Sequence, residues 1–73
     1  MDRAVWEEHL SQTESHVAEA EKRVAHQREL VEKLERDGQP AKAARSRLAA
    51  FERLLAMYLA DRLRLRRELG LPD

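Results

Sequence analysis

The feature that most constrains this chain is a ladder of mostly apolar residues, which alternate four and three positions apart in both halves of the sequence. A stripe with this spacing lies along one side of an α-helix, and it has to be buried against another helix. Its members are Trp6, Leu10, Thr13, Val17, Ala20, Val24, Gln27, Val31 and Leu34, then Ala44, Leu48, Phe51, Leu55, Tyr58, Arg62, Leu65 and Leu69. The ladder therefore predicts an all-α fold with two long helices.

Local signals place the ends of these helices. Asp2 is a good N-cap, and Gly38 suits the left-handed position after a helix. Pro40 fits the first turn of a second helix, which Gly70 and Pro72 then close.

These signals predict one domain over residues 1–73, with helix 1 over about 3–37, a turn at 38–40 and helix 2 over about 41–69. So short a turn allows only antiparallel neighbours, which gives a two-helix coiled-coil hairpin.

Charged residues beside the ladder predict a register in which Val31 stacks near Phe51 and Arg62 faces Ala20. The pairs that follow are Glu35–Arg45, Arg28–Glu52, Glu14–Arg66, Asp37–Arg47, Arg23–Asp61 and His16–Glu68, with Leu30 meeting Leu54. Each exposed pair contributes only about 0.3–0.5 kcal/mol, so together they select the register rather than stabilise the fold.

Three polar residues, Thr13, Gln27 and Arg62, interrupt the ladder. Polar residues in such a seam usually fix register or oligomeric state. Arg62 has a second interpretation, in which its guanidinium recognises an anion between the helices.

Apolar residues outside the ladder predict a second contact surface, because a single seam buries too little area for a chain of this size. The candidate interface consists of Leu30, Leu54, Met57, Leu59 and Leu63. We expect a homodimer that forms an antiparallel four-helix bundle, with a helix of another protein as a further possible partner.

Composition argues against several other classes of protein. Charged residues make up 38% of the chain and there is no cysteine, so no thiolate metal site or disulfide framework is expected.

The longest uncharged run, Leu54 to Ala60, is too short to span a bilayer, and no secretion signal is evident, so a cytoplasmic location is expected. Without metal-binding spacing around His9 and His16, and without a phosphate loop or a nucleophile with its base, we expect no cofactor and no enzyme.

Charge is divided unevenly: residues 1–37 carry ten acidic and six basic side chains, whereas residues 38–73 carry four acidic and eight basic. The two halves can neutralise each other, or the basic half can meet an anionic partner. Candidate anion contacts are Arg62, Arg64 and Arg67, joined by Arg45, Arg47 and Arg53 in an alternative hypothesis of nucleic-acid binding. The basic segment 62–67 is less suited to binding a membrane surface, because its leucines belong to the seam.

Residues 16–38 resemble a group of small helical-hairpin proteins of alphaproteobacteria, especially of rhizobial-type genomes. The likeness continues through Ala44, Leu48, Phe51-Glu52 and Ala60-Asp61-Arg62, and so covers about two thirds of the chain. That group commonly has a glycine where Ala20 stands, an Asp or Thr cap where Gln39-Pro40 stands, and a histidine near Met57-Tyr58. It has no established function, so the resemblance implies no site residue. The sequence predicts a structural or adaptor module.

Overall fold

The computed structural model describes residues 2–72, which form two α-helices packed side by side. Helix α1 spans Arg3–Arg36 and helix α2 spans Lys42–Glu68. They run antiparallel, since an Arg3 side-chain nitrogen donates to the carbonyl oxygen of Leu69 at one end (3.2 Å). The described residues thus confirm the expected all-α hairpin, a rod of 54 × 18 × 14 Å.

Helix α1 begins and ends with the expected capping residues. The Asp2 carboxylate accepts a hydrogen bond from the backbone N–H of Val5 at 3.1 Å. At the other end Gly38 has φ +67°, its N–H donates to the Glu35 carbonyl oxygen, and the Gln39 N–H donates to the Leu34 carbonyl oxygen at 2.8 Å. This pair of bonds is a Schellman motif, which satisfies carbonyl groups that the helix leaves without partners.

The link between the helices differs from expectation at Pro40. Helix α2 begins at Lys42 with Ala41 as its N-cap, so Pro40 lies before the helix rather than in its first turn. The difference accompanies burial of Ala41, which is only 6% exposed and belongs to the core. Ala41 makes no side-chain capping bond, and its carbonyl oxygen accepts the first helical bond, from the N–H of Arg45 (2.8 Å).

Helix α2 closes with a second Schellman motif. Gly70 has φ +70°, its N–H donates to the Arg67 carbonyl oxygen, and the Leu71 N–H donates to the Arg66 carbonyl oxygen at 2.8 Å. The turn brings Leu71, together with Trp6, onto a cluster whose buried members are Leu10, Leu65 and Leu69. This cluster packs the beginning of α1 against the end of α2, at the end of the hairpin opposite the turn.

Burial follows the ladder. Every ladder residue is buried or partly buried, which confirms the heptad pattern as the seam of the hairpin. The most buried residues are Leu10, Val17, Ala20, Val24, Val31, Ala41, Leu65 and Leu69. All eight are apolar, and none of the larger side chains in residues 2–72 is completely enclosed.

The stacking of the seam differs from the predicted register. Gln27 donates from its amide nitrogen to the Ala44 carbonyl oxygen at 3.0 Å. Ala20 lines one depression together with Leu54 and Tyr58, which precede Arg62 by eight and four positions. The prediction was wrong because it used charged pairs, whose long side chains bridge a turn, whereas the interlocking of apolar side chains sets the stacking.

Candidate interaction surfaces

The five candidate interface residues differ in exposure. Met57 is 51% exposed, Leu30 44% and Leu59 38%, whereas Leu54 and Leu63 are partly buried. Exposed apolar side chains of this size, set on both helices, are the kind that mark contact surfaces.

These residues do not form one stripe. Leu54 and Leu63 are nine residues apart, about two and a half helical turns, so they lie on opposite sides of α2. Leu59 and Leu63 line a groove with Glu14 and Arg66, while Leu54 lines a separate depression with His16 and other residues. The wide stripe that the sequence suggested is therefore two surfaces, one on each side of the seam.

We define the two surfaces by residues seven positions apart, which share one side of a helix. Flank A consists of Glu14, Glu21, Arg28 and Glu35 of α1 with Arg45, Glu52, Leu59 and Arg66 of α2. Flank B consists of His16, Arg23, Leu30 and Asp37 of α1 with Arg47, Leu54, Asp61 and Glu68 of α2.

Flank A carries the three ion pairs between the helices that the structure describes. An Arg45 guanidinium nitrogen lies 3.1 Å from a Glu35 carboxylate oxygen. Arg28 meets Glu52 at 3.7 Å. All four of these side chains are about half exposed, so each pair contributes little to stability, but the pairs confirm half of the predicted charge pattern.

Arg66 makes the third pair and also closes the end of α2. One guanidinium nitrogen lies 3.7 Å from a Glu14 carboxylate oxygen, and Nε donates to the Pro72 carbonyl oxygen at 2.7 Å. Its side chain is only 28% exposed, the lowest of any group in these pairs. This double role was not foreseen, because no heptad rule anticipates a bond to the chain after the helix.

An open groove of about 350 Å³ lies beside this pair. Its walls are Glu14, Leu59, Arg62, Leu63 and Arg66. Arg62 is partly buried in the seam, and within residues 2–72 it makes no hydrogen bond and no ion pair. The groove therefore brings two apolar side chains together with a guanidinium that has no partner among residues 2–72.

Flank B lacks the predicted ion pairs. The His16 ring stacks on the Tyr58 ring, with centroids 5.0 Å apart, instead of meeting Glu68. Asp61 pairs with Arg64 on its own helix at 3.4 Å, and Arg23 lies beside Leu54.

The other predicted pair on this flank is also absent. The guanidinium carbon of Arg47 lies over the Phe51 ring at 5.9 Å, and no ion pair joins Arg47 to Asp37 within the described residues. These pairs fail because the difference in stacking moves the shorter Asp and His side chains out of reach of their partners.

The basic residues of α2 do not converge on one anion site. Arg45, Arg47 and Arg64 are engaged with Glu35, Phe51 and Asp61. Arg67 also has an interaction within the molecule. Nucleic-acid binding stays a prediction, which a mobility shift at low salt tests, with Arg64 and Arg67 both changed to Glu as the control.

Two further features of residues 2–72 bear on function. No helix in residues 2–72 combines the length and the apolar character needed to cross a membrane. Across the same residues, no three His, Asp or Glu side chains come together in a way that would hold a metal ion. Comparisons of the chain with protein-family models, with curated proteins and with solved structures find no match.

Proposed function

We propose that this chain is a protein–protein interaction module without catalytic activity, and that its working unit is a homodimer in which two hairpins form a four-helix bundle. One observation carries the proposal. The hairpin exposes 5443 Å², whereas a compact folded protein of 8.5 kDa exposes about 4,650 Å². The excess of about 800 Å² matches what one partner buries in a standard protein–protein interface.

The distribution of burial supports the same proposal. Two helices share one seam, and its most buried members include two alanines and three valines, which contribute less area than leucine or phenylalanine. Large apolar side chains remain exposed on both sides of that seam, Leu59 at 38% on one side and Leu30 at 44% on the other. A second hairpin would cover one flank and convert the seam into a bundle core, as in four-helix bundles generally.

Sedimentation equilibrium tests the proposal on the full chain. We expect a mass twice the 8.5 kDa of the chain, with dissociation only at low micromolar concentration or below. Circular dichroism at 222 nm, recorded over the same dilution series, reports whether helix is lost with the dimer. A fully helical monomer throughout the series, up to about 100 µM, would show that one hairpin is sufficient and would refute the homodimer.

A further inference from the structure

We propose that the homodimer forms through flank A, with a second copy of this chain as the occupant of the groove, and that Arg62 pairs with Glu21 of the partner subunit. The inference rests on the proposed function and adds the face, the orientation and the ion pair that joins the copies.

The first step is the level of Glu21 along the hairpin. The three ion pairs of flank A join positions whose numbers sum to 80: 35 with 45, 28 with 52, and 14 with 66. By the same sum, the counterpart of Glu21 in the α2 row is Leu59. Glu21 is therefore the one member of the α1 row of flank A whose counterpart is apolar instead of oppositely charged.

The second step is charge. Glu21 is exposed and makes no ion pair within the described residues. Arg62 also has no partner there, and it lines the groove three residues after Leu59, the counterpart of Glu21. Flank A thus carries one unmatched acid on α1, and the groove beside its α2 row holds one unmatched base, within one helical turn of the counterpart of that acid.

The third step is symmetry. A twofold axis parallel to the hairpin sets α1 of one copy against α2 of the other, antiparallel and at equal height. The base at position 62 then meets the acid at position 21 of the partner, twice in each dimer. The same operation places the ends that carry Glu14 and Arg66 beside each other with opposite charges facing, and likewise those of Arg28 and Glu52.

The fourth step is shape. Between those charged ends, the α1 side of flank A has exposed alanines at positions 18 and 25, while α2 offers Ala56, Leu59 and Leu63. Small residues on one helix opposite leucines on the other allow close approach with large side chains facing small ones. Flank B has no such match, since its α1 row offers only Leu30 among charged residues and a histidine.

Sedimentation equilibrium of single variants tests whether the dimer forms through flank A. Leu59→Lys places two charges in each dimer interface, and we expect it to raise the dissociation constant at least about 100-fold while helicity is kept. Met57→Lys is the matched control, because Met57 is more exposed but lies on the side of flank B. If Met57→Lys dissociates the dimer and Leu59→Lys does not, flank A is excluded although the homodimer itself stands. If the wild-type chain is a monomer, the proposed function has failed instead.

A charge exchange tests the ion pair. Glu21→Arg sets two arginines against each other, and we expect the dissociation constant to rise about tenfold or more, whereas Glu29→Arg on the outer face of α1 leaves it unchanged. Adding Arg62→Glu to Glu21→Arg restores the pair with reversed sign and recovers most of the affinity. A double variant no tighter than Glu21→Arg overturns the pairing. If the double variant loses helicity, Arg62→Gln in the wild-type background replaces it, and unchanged affinity there overturns the pairing too.

Discussion

Replacing Gly38 by alanine isolates the energetic contribution of the turn. Gly38 has φ +67°, and a Cβ atom placed on it meets no other atom within 4 Å. The substitution therefore adds backbone strain without a steric clash. A left-handed residue with a Cβ costs roughly 1–2 kcal/mol, while the reduced freedom of the unfolded chain returns about 0.4–1 kcal/mol. We expect Gly38→Ala to lower the free energy of unfolding by about 1 kcal/mol.

Urea denaturation followed at 222 nm measures this change, with protein concentration held constant because dimerisation would contribute to apparent stability. The corresponding fall in Tm is about 5 °C for a chain of this length. Gly38→Asn should lower the free energy of unfolding less than Gly38→Ala does, because asparagine tolerates the left-handed region better than most other residues.

A chemically synthesised chain with D-alanine at position 38 gives the sharpest control. D-alanine adopts positive φ without strain, so it keeps the entropic gain and should stabilise the hairpin by about 0.5 kcal/mol or more. Opposite signs for the two enantiomers would support the argument. Equal effects of L- and D-alanine would refute it, because the handedness of the turn would then contribute nothing.

Three other substitutions probe the seam and its flank, each by urea denaturation at fixed concentration. Leu10→Ala removes a side chain that is 8% exposed from the terminal cluster, and we expect a loss of about 2–3 kcal/mol; a loss below about 1 kcal/mol would contradict its place in the core. Gln27→Ala removes the bond to the Ala44 carbonyl oxygen and should cost about 1 kcal/mol, whereas no change would mean that water replaces the bond. Glu35→Gln breaks a half-exposed pair with Arg45 and should cost at most about 0.5 kcal/mol, a difference that molar salt should abolish.

Much of the hairpin could be predicted from sequence because its determinants are local. Asp2, Gly38 and Gly70 act within one turn of the chain, through caps and positive φ, and the structure shows each in the expected role. The ladder was equally informative, since two helices that each carry an apolar stripe with a period of 3.5 residues bury it by packing the stripes together.

Register was harder to predict, because it depends on how side chains interlock across the seam rather than on what they are. Long side chains such as those of Arg28 and Glu52 meet over a range of stackings, so their agreement did not settle the heights of the helices. The shorter His16 and Asp61 reach their partners over a narrower range of stackings, and both contact other neighbours in the structure. Short charged residues beside a seam are therefore better reporters of register than long ones.

The division of the apolar residues between two flanks bears on how the chain assembles. Contact of flank A on one copy with flank B on the next would be heterologous and would continue into an open filament, whereas contact of flank A with itself closes after two copies. Flank A carries an unmatched acid, Glu21, and the groove beside it holds an unmatched base, Arg62, so one side of the hairpin supplies both partners of the ion pair. The two modes differ in a measurable way, because a closed assembly stops at twice the chain mass and an open one grows with concentration. The placement of charge therefore favours the closed dimer, in which Met57 and Leu30 stay on the outside and accessible to a different partner.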